Sequence, residues 1–252
     1  MWPTFGSLKA YTVLYATAFL THYWVSWRIA RRDALGWRVW VTVSVLFSVG
    51  SIVGGKILYD LQQSQFDWQA LFRAQHYVHG GYWGGLLAYL GLAVPAALLL
   101  ARRTQRRAAL DLVVLTIPVP FILAKLGCLL NGCCYGRACS LPWAIVFPAG
   151  SRGASAGVPV HPTQIYEIGT MLVVLLVFRW VDRDRWRGTL LLWFLAIYGA
   201  GRALIETFRG DVERHLWMDR LTLSQPVCLG VALVSVWLLV WWRDSSPGYR
   251  PG

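Results

Sequence analysis

Seven apolar runs, each near the length of a membrane-crossing helix, constrain this chain more than any other feature. They cover roughly residues 8–27, 39–59, 80–101, 109–130, 162–181, 188–206 and 222–242. A helix needs about 20 mostly apolar residues to cross a bilayer. No water satisfies the backbone there, so the chain must close its own hydrogen bonds. Composition agrees, because only 14% of the residues are charged and 56% are hydrophobic, whereas a soluble domain carries about 25% charged residues. The expected fold class is therefore an all-α polytopic membrane protein with seven transmembrane helices. No polar linker or low-complexity stretch divides the chain, so a single integral membrane domain over 1–252 is expected. The first run has no basic segment before it and no small-residue cleavage pattern after it. It reads as a retained helix rather than a signal peptide.

The net charge of +12 has the same origin. Twelve arginines lie in or beside the first, third and fifth loops: Arg28, Arg31, Arg32, Arg38, Arg102, Arg103, Arg106, Arg107, Arg179, Arg183, Arg185 and Arg187. The other three loops hold six: Arg73, Arg137, Arg152, Arg209, Arg214 and Arg220. A Lys/Arg excess marks the cytoplasmic side. The N-terminus is then outside and the C-terminus cytoplasmic, which an odd number of spans also requires. Since the cations flank apolar runs, nucleic acid is not an expected partner.

The three loops assigned to the outside hold the unusual chemistry. His76 and His79 close the first, a cysteine cluster opens the second and His161 closes it, and Arg202, Glu206 and Arg209 run into the third. Topology brings these stretches to one depth near the outer face. In GRALIETFRGD (201–211) the spacing predicts Arg202, Glu206 and Arg209 on one helix face. Ionisable groups in a span are costly and face protein or water, and two guanidinium forks flanking a carboxylate suit a phosphate. In HPTQIYE (161–167), Pro162 suits a first helical turn. His161 is a candidate cap, base or phosphate donor, Gln164 a structural or substrate hydrogen-bonding group, and Glu167 a costly buried acid. The glycines at 80, 81, 84 and 85, and at 50 and 54, fit close helix packing or lipid approach. Lys56 either snorkels or joins the anion site.

LGCLLNGCCYGRACSLPW (126–143) breaks an apolar run. Irregular backbone at membrane depth survives only where protein or water satisfies it, so the break implies a cavity. Asn131, Gly132, Gly136 and Arg137 supply polar and backbone groups to line it. Cys128, Cys133, Cys134 and Cys139 lack the paired spacing of common structural zinc sites, so no metal is expected. A disulfide within 133–139 or small buried thiols are the open readings.

Taken together, K-L-G-C-L-L-N-G-C-C-Y-G-R at 125–137, H-P-T-Q-I-Y-E at 161–167, G-R-A-L-I-E-T-F-R-G-D at 201–211 and L-T-L-S-Q at 221–225 resemble the prolipoprotein diacylglyceryl transferase family over nearly the whole chain. The resemblance implies a transferase in the bacterial inner membrane with its active site near the outer face. It implies transfer of diacylglycerol from phosphatidylglycerol to the lipobox cysteine of a prolipoprotein, leaving a thioether and glycerol phosphate. The partners expected are phosphatidylglycerol, the signal-peptide and lipobox segment, and membrane lipids, and no cofactor is expected. His79, His161, Arg202 and Glu206 are the catalytic candidates. Tyr11, Lys56, Lys125, Asn131, Gly136, Arg137, Gln164, Glu167 and Arg209 are the substrate-binding candidates, and Asp211 belongs to the same charged motif. The chain departs from the family pattern at Lys125 (usually Arg), Cys128 (usually Asn), Cys133 (usually Glu) and Trp83 (often His). A paralogue using another acceptor is therefore a second reading, and a non-enzymatic lipid or anion binder or transporter a third. The absence of a detectable repeat disfavours an alternating-access transporter.

Overall fold

The computed structural model describes residues 4–5, 8–62, 82–148, 157–181, 186–210, 216–217, 221–222 and 224–245. These residues form nine α-helices: α1 (Ala10–Arg32), α2 (Trp37–Val49), α3 (Gly55–Gln62), α4 (Tyr82–Leu100), α5 (Arg106–Leu115), α6 (Pro118–Asn131), α7 (Thr163–Trp180), α8 (Leu190–Glu206) and α9 (Ser224–Ser245). Three antiparallel pairs of two-residue strands complete them: β1 (Thr4–Phe5) with β2 (Leu8–Lys9), β3 (Ile145–Val146) with β4 (Pro159–Val160), and β5 (Leu216–Trp217) with β6 (Leu221–Thr222). Four helical stretches among the described residues are long and apolar enough to cross a membrane: 37–58, 103–131, 163–180 and 224–243. Gly84–Leu100 is a shorter apolar helix. The chain is a helical, multi-pass membrane protein, and large apolar side chains such as Leu20, Leu99, Trp180 and Trp237 face outward as lipid would require.

The chain divides into two compact units, one of residues 1–21 with 117–252 and the other of residues 22–116. In the second unit, the run expected as one helix over 39–59 is α2 and α3 joined by a π-helical turn at Gly50–Gly54. The turn is where α4 comes closest. A Cβ on Gly50 would stand 2.8 Å from the Tyr89 backbone nitrogen, and one on Gly85 2.9 Å from the Ser51 backbone. The paired glycines thus serve backbone-to-backbone packing. Tyr89 donates its hydroxyl to the Val113 carbonyl at 2.9 Å, tying α4 to α5. Lys56 is buried and ion-paired with Asp60, one turn along α3.

The run expected over 109–130 is not one uninterrupted helix. It breaks between α5 and α6 at Thr116–Ile117. Ile117 keeps helical dihedrals, so the interruption lies in the hydrogen bonds: Pro118 and Pro120 have no N–H to donate to the Val114 and Thr116 carbonyls, and a proline at the first turn starts a new helix readily.

In the first unit α7 packs between α6 and α8, and α9 packs on α8. The helix α6 ends in a Schellman turn. Gly132 is left-handed (φ 68°), its N–H donates to the Leu129 carbonyl at 3.3 Å, and the Cys133 N–H donates to the Cys128 carbonyl at 3.2 Å. The chain then runs beside the entry to α7 and the exit of α8. Single antiparallel bridges join Gly136 to Arg209 and Ala138 to Val160. These bridges draw three separate sequence stretches together.

Gly85→Val should destabilise the protein by about 1–3 kcal/mol through overpacking against Ser51. Chemical unfolding in detergent measures this. A midpoint equal to the parent's would mean that the close approach is not essential.

Candidate active site

A carboxylate buried in an apolar unit needs charged partners. Glu167, in the second turn of α7, is 3% exposed. Its carboxylate meets Lys125 of α6 directly. Arg202 Nη1 of α8 lies 3.4 Å from Glu167 Oε1, and Arg209 Nη1 lies 3.7 Å from the same oxygen. Arg202 turns its other nitrogen, Nη2, to Glu206 Oε2 at 2.6 Å. Three cations and two carboxylates thus form one buried network. Lys125 also places its ammonium 5.5 Å from the centre of the Phe121 ring.

Glu167, rather than Glu206, is the centre. The expected single helix face of Arg202, Glu206 and Arg209 holds only for the first two. The helix α8 ends at Glu206, and Thr207, Phe208 and Arg209 tighten into bonds three residues back, to Leu204, Ile205 and Glu206. The tighter turn changes the angular step per residue. Arg209 is delivered instead by its bridge to Gly136. The Arg137 N–H donates to the Phe208 carbonyl at 2.8 Å, and the Gly210 N–H to the Tyr135 carbonyl at 3.3 Å. Only glycine fits at 136, because a Cβ there would sit 2.5 Å from both His161 Cβ and the Phe208 oxygen.

His161 is fixed through its backbone. Its carbonyl accepts from the Gly136 N–H at 2.8 Å and its N–H donates to the Arg137 carbonyl at 3.1 Å. Its Nδ1 lies 3.2 Å from the Tyr166 hydroxyl, which also accepts from Trp143 Nε1 at 2.8 Å. Burial and, after it, the nearby Arg137 hold the imidazole below its ordinary pKa. Arg137 itself is exposed and stacks near Phe208.

Gln164, fully buried, donates Nε2 to the Cys133 carbonyl at 2.7 Å. Among the described residues its Oε1 accepts no hydrogen bond. Thr163 donates to the Cys134 carbonyl at 2.5 Å. Asn131 Nδ2 lies 3.6 Å from Cys133 Sγ. The sulfurs of Cys128, Cys133 and Cys134 all lie within 4.8 Å of one another, and all five cysteines are free thiols. Tyr11 of α1 sits beside Gly127, with its ring 4.7 Å from that of Tyr15.

The structure therefore assembles Lys125, Glu167, Arg202, Glu206 and Arg209, with Gly136, Arg137, Gln164, Asn131 and His161 around them. Lys56 belongs to the other unit and pairs with Asp60, a partner signalled in the sequence only by its four-residue spacing. His79 and Asp211 lie outside the described residues. Tyr166 belongs to the H-P-T-Q-I-Y-E motif read in the sequence, whereas Thr163, Trp143 and Phe208 act through bonds and ring contacts across separate stretches, and no local spacing marks them.

A profile of the family described as prolipoprotein diacylglyceryl transferase matches residues 3–241. Among curated proteins, the phosphatidylglycerol--prolipoprotein diacylglyceryl transferase of Vibrio cholerae is 29% identical over 245 residues, covering 93% of this chain and 87% of the relative. Its namesake in Pseudoalteromonas translucida is 31% identical, covering 93% and 88%. The one in Nitratidesulfovibrio vulgaris is 30% identical, covering 94% and 91%. No solved structure matches the chain.

Glu167→Gln should cost about 3–5 kcal/mol, because it strands Lys125, Arg202 and Arg209 without their shared counter-charge. Thermal unfolding of the purified variant tests this. Unchanged stability would remove Glu167 from the centre of the network. A second expectation follows from His161. Its lowered folded-state pKa means the unfolded chain takes up the proton first as the pH falls. Its contribution to stability is complete above the ordinary value of 6.5 and shrinks as pH drops below it. His161→Gln should flatten that acid limb, and an identical limb would assign the pH dependence elsewhere.

Proposed function

The chain belongs to the prolipoprotein diacylglyceryl transferase family, and on that premise we propose that its buried cation cluster holds the phosphate of phosphatidylglycerol during transfer. The chain is a transferase of the phosphatidylglycerol--prolipoprotein diacylglyceryl type. One observation carries the site assignment. Lys125, Arg202 and Arg209 converge on one buried carboxylate, Glu167, and Arg202 also reaches Glu206. Two guanidinium groups and an ammonium gathered at one depth suit the singly charged phosphodiester of the donor lipid, which Arg can meet with charge-assisted hydrogen bonds.

The reaction forms a carbon–sulfur bond. The thiolate sulfur of the lipobox cysteine attacks the glyceryl carbon esterified to phosphate. The carbon–oxygen bond breaks, and its electron pair leaves with glycerol phosphate. Negative charge grows on the leaving oxygen, and guanidinium groups held in place by Glu167 and Glu206 stabilise it without reorganising. Arg202 and Arg209 take this role, and Arg137 at the exposed edge offers a further phosphate contact. Lys125 holds Glu167, and Gln164 and Asn131 position the loop that carries the cysteines. Tyr11 lines the same unit. The imidazole of His161, kept neutral by its burial, is the candidate that accepts the thiol proton. His79 is the second candidate base.

The seven apolar runs support seven spans, and the arginine asymmetry among the loops supports an N-terminus outside and a site near the outer face of the inner membrane. That placement suits an acceptor whose signal peptide lies in the bilayer. Lys56, buried with Asp60, is assigned to helix stability rather than to phosphate.

Arg202→Ala should lower transfer by about 100- to 1000-fold, with the protein still inserted. The assay is expression in cells depleted of their own transferase, with mass spectrometry of a model prolipoprotein. Normal turnover would refute the phosphate role. No mass increase from the parent chain, once inserted, would point to a different acceptor.

A further inference from the structure

We propose that Cys128, Cys133 and Cys134 form a three-thiolate zinc site whose open fourth position receives the acceptor thiol. The proposal rests on the transferase reading for the identity of that thiol. The site itself stands on geometry. The Schellman turn at Gly132 folds Cys133 back over Cys128, five residues earlier. Cys134 then adopts a left-handed conformation (φ 63°), which is uncommon for any residue but glycine and requires compensation. The result brings the third sulfur into the same 4.8 Å cluster. Zinc–sulfur bonds of about 2.3 Å place tetrahedral thiolates about 3.8 Å apart. The three sulfurs reach that spacing with a contraction of about 1 Å at most.

The surroundings suit a metal as well. The Cys133 and Cys134 carbonyls are pinned by Gln164 and Thr163 at 2.7 and 2.5 Å. The Asn131 amide approaches Cys133 Sγ at 3.6 Å. Such outer contacts orient ligands and tune them. Zinc with three thiolates carries one net negative charge, and the positive fields of Lys125 and Arg209 both fall on Cys134. Three protein ligands and one exchangeable position is the arrangement of catalytic rather than structural zinc. Cys128 and Cys133 are also two of the positions where the chain departs from the family pattern.

The chemistry balances without any redox change. The acceptor thiol binds zinc and loses its proton to a base, because a zinc-bound thiol is held as thiolate. The bound sulfur attacks the glyceryl carbon, the carbon–sulfur bond forms, and the carbon–oxygen bond to phosphate breaks with its pair on the leaving group. The product sulfur is a thioether, a much poorer zinc ligand, so it dissociates and reopens the fourth position.

The test uses the purified full-length chain. Elemental analysis after loading with Zn²⁺ should find about one zinc per chain. Cys134→Ser should lose it, with the metal-free variant unfolding as the metal-free parent does, and Cys139→Ser should keep it. Substitution with Co²⁺ should give a thiolate-to-cobalt charge-transfer band. A lipobox peptide should shift that band, and the same peptide with serine for cysteine should not. A protein that takes up neither ion, or whose cobalt band ignores the peptide thiol, overturns the proposal. Both readouts are independent of turnover. A metal-free chain that still transfers diacylglyceryl groups sinks the zinc site and leaves the transferase reading standing. A shifted cobalt band without transfer supports the zinc site and counts against the transferase reading.

Discussion

The structure of the first unit is organised around one buried carboxylate, Glu167, shared by Lys125, Arg202 and Arg209. In an apolar environment each charge carries a desolvation cost of several kcal/mol, recovered only with good geometry. The arrangement of α6, α7 and α8 follows from that constraint, since each contributes a member of the network or leads directly into one. Apolar packing alone leaves helices free to slide and rotate. Ion pairs at fixed depths do not, so the network sets register as well as charge.

The stretch after α6 solves a second problem, that of irregular backbone beside membrane helices. Its polar groups are satisfied by neighbouring backbone, through bonds from Gly136, Arg137 and Cys139 and to the Arg137 carbonyl. The same bonds deliver chemistry. Arg209 reaches Glu167 because Gly136 permits the bridge, and His161 is held by both its N–H and its carbonyl. The left-handed residues Gly132 and Cys134 reverse the chain and collect three thiols. Backbone satisfaction and site assembly are thus one set of contacts.

Much of this was legible beforehand, for physical reasons. Apolar run length reports helices directly, and α1, α4, α7, α8 and α9 lie within a few residues of the runs that announced them, α1 overrunning its end most; of these, α7 and α9 are long and apolar enough to cross a membrane. The break in the 109–130 run was also written in the chain, in Pro118. What the run lengths hid was how a continuous apolar stretch divides, because hydrophobicity does not distinguish one helix from two. The π-helical turn at Gly50–Gly54 is a similar case. It answers the approach of α4, a neighbour that no local window contains.

The site divides along the same line. The sequence by itself determined a membrane-embedded chain, the family to which it belongs, and the residues that carry charge, because these depend on residue type and order along one dimension. Only the tertiary structure decided that Glu167 is the centre and Glu206 an outlying partner, that Lys56 answers to Asp60, and that cysteines without paired spacing meet in one cluster. Each of these depends on which helix faces which and on where a turn tightens. Those are properties of packing and backbone hydrogen bonding between distant segments, and residue spacing within a single segment does not contain them.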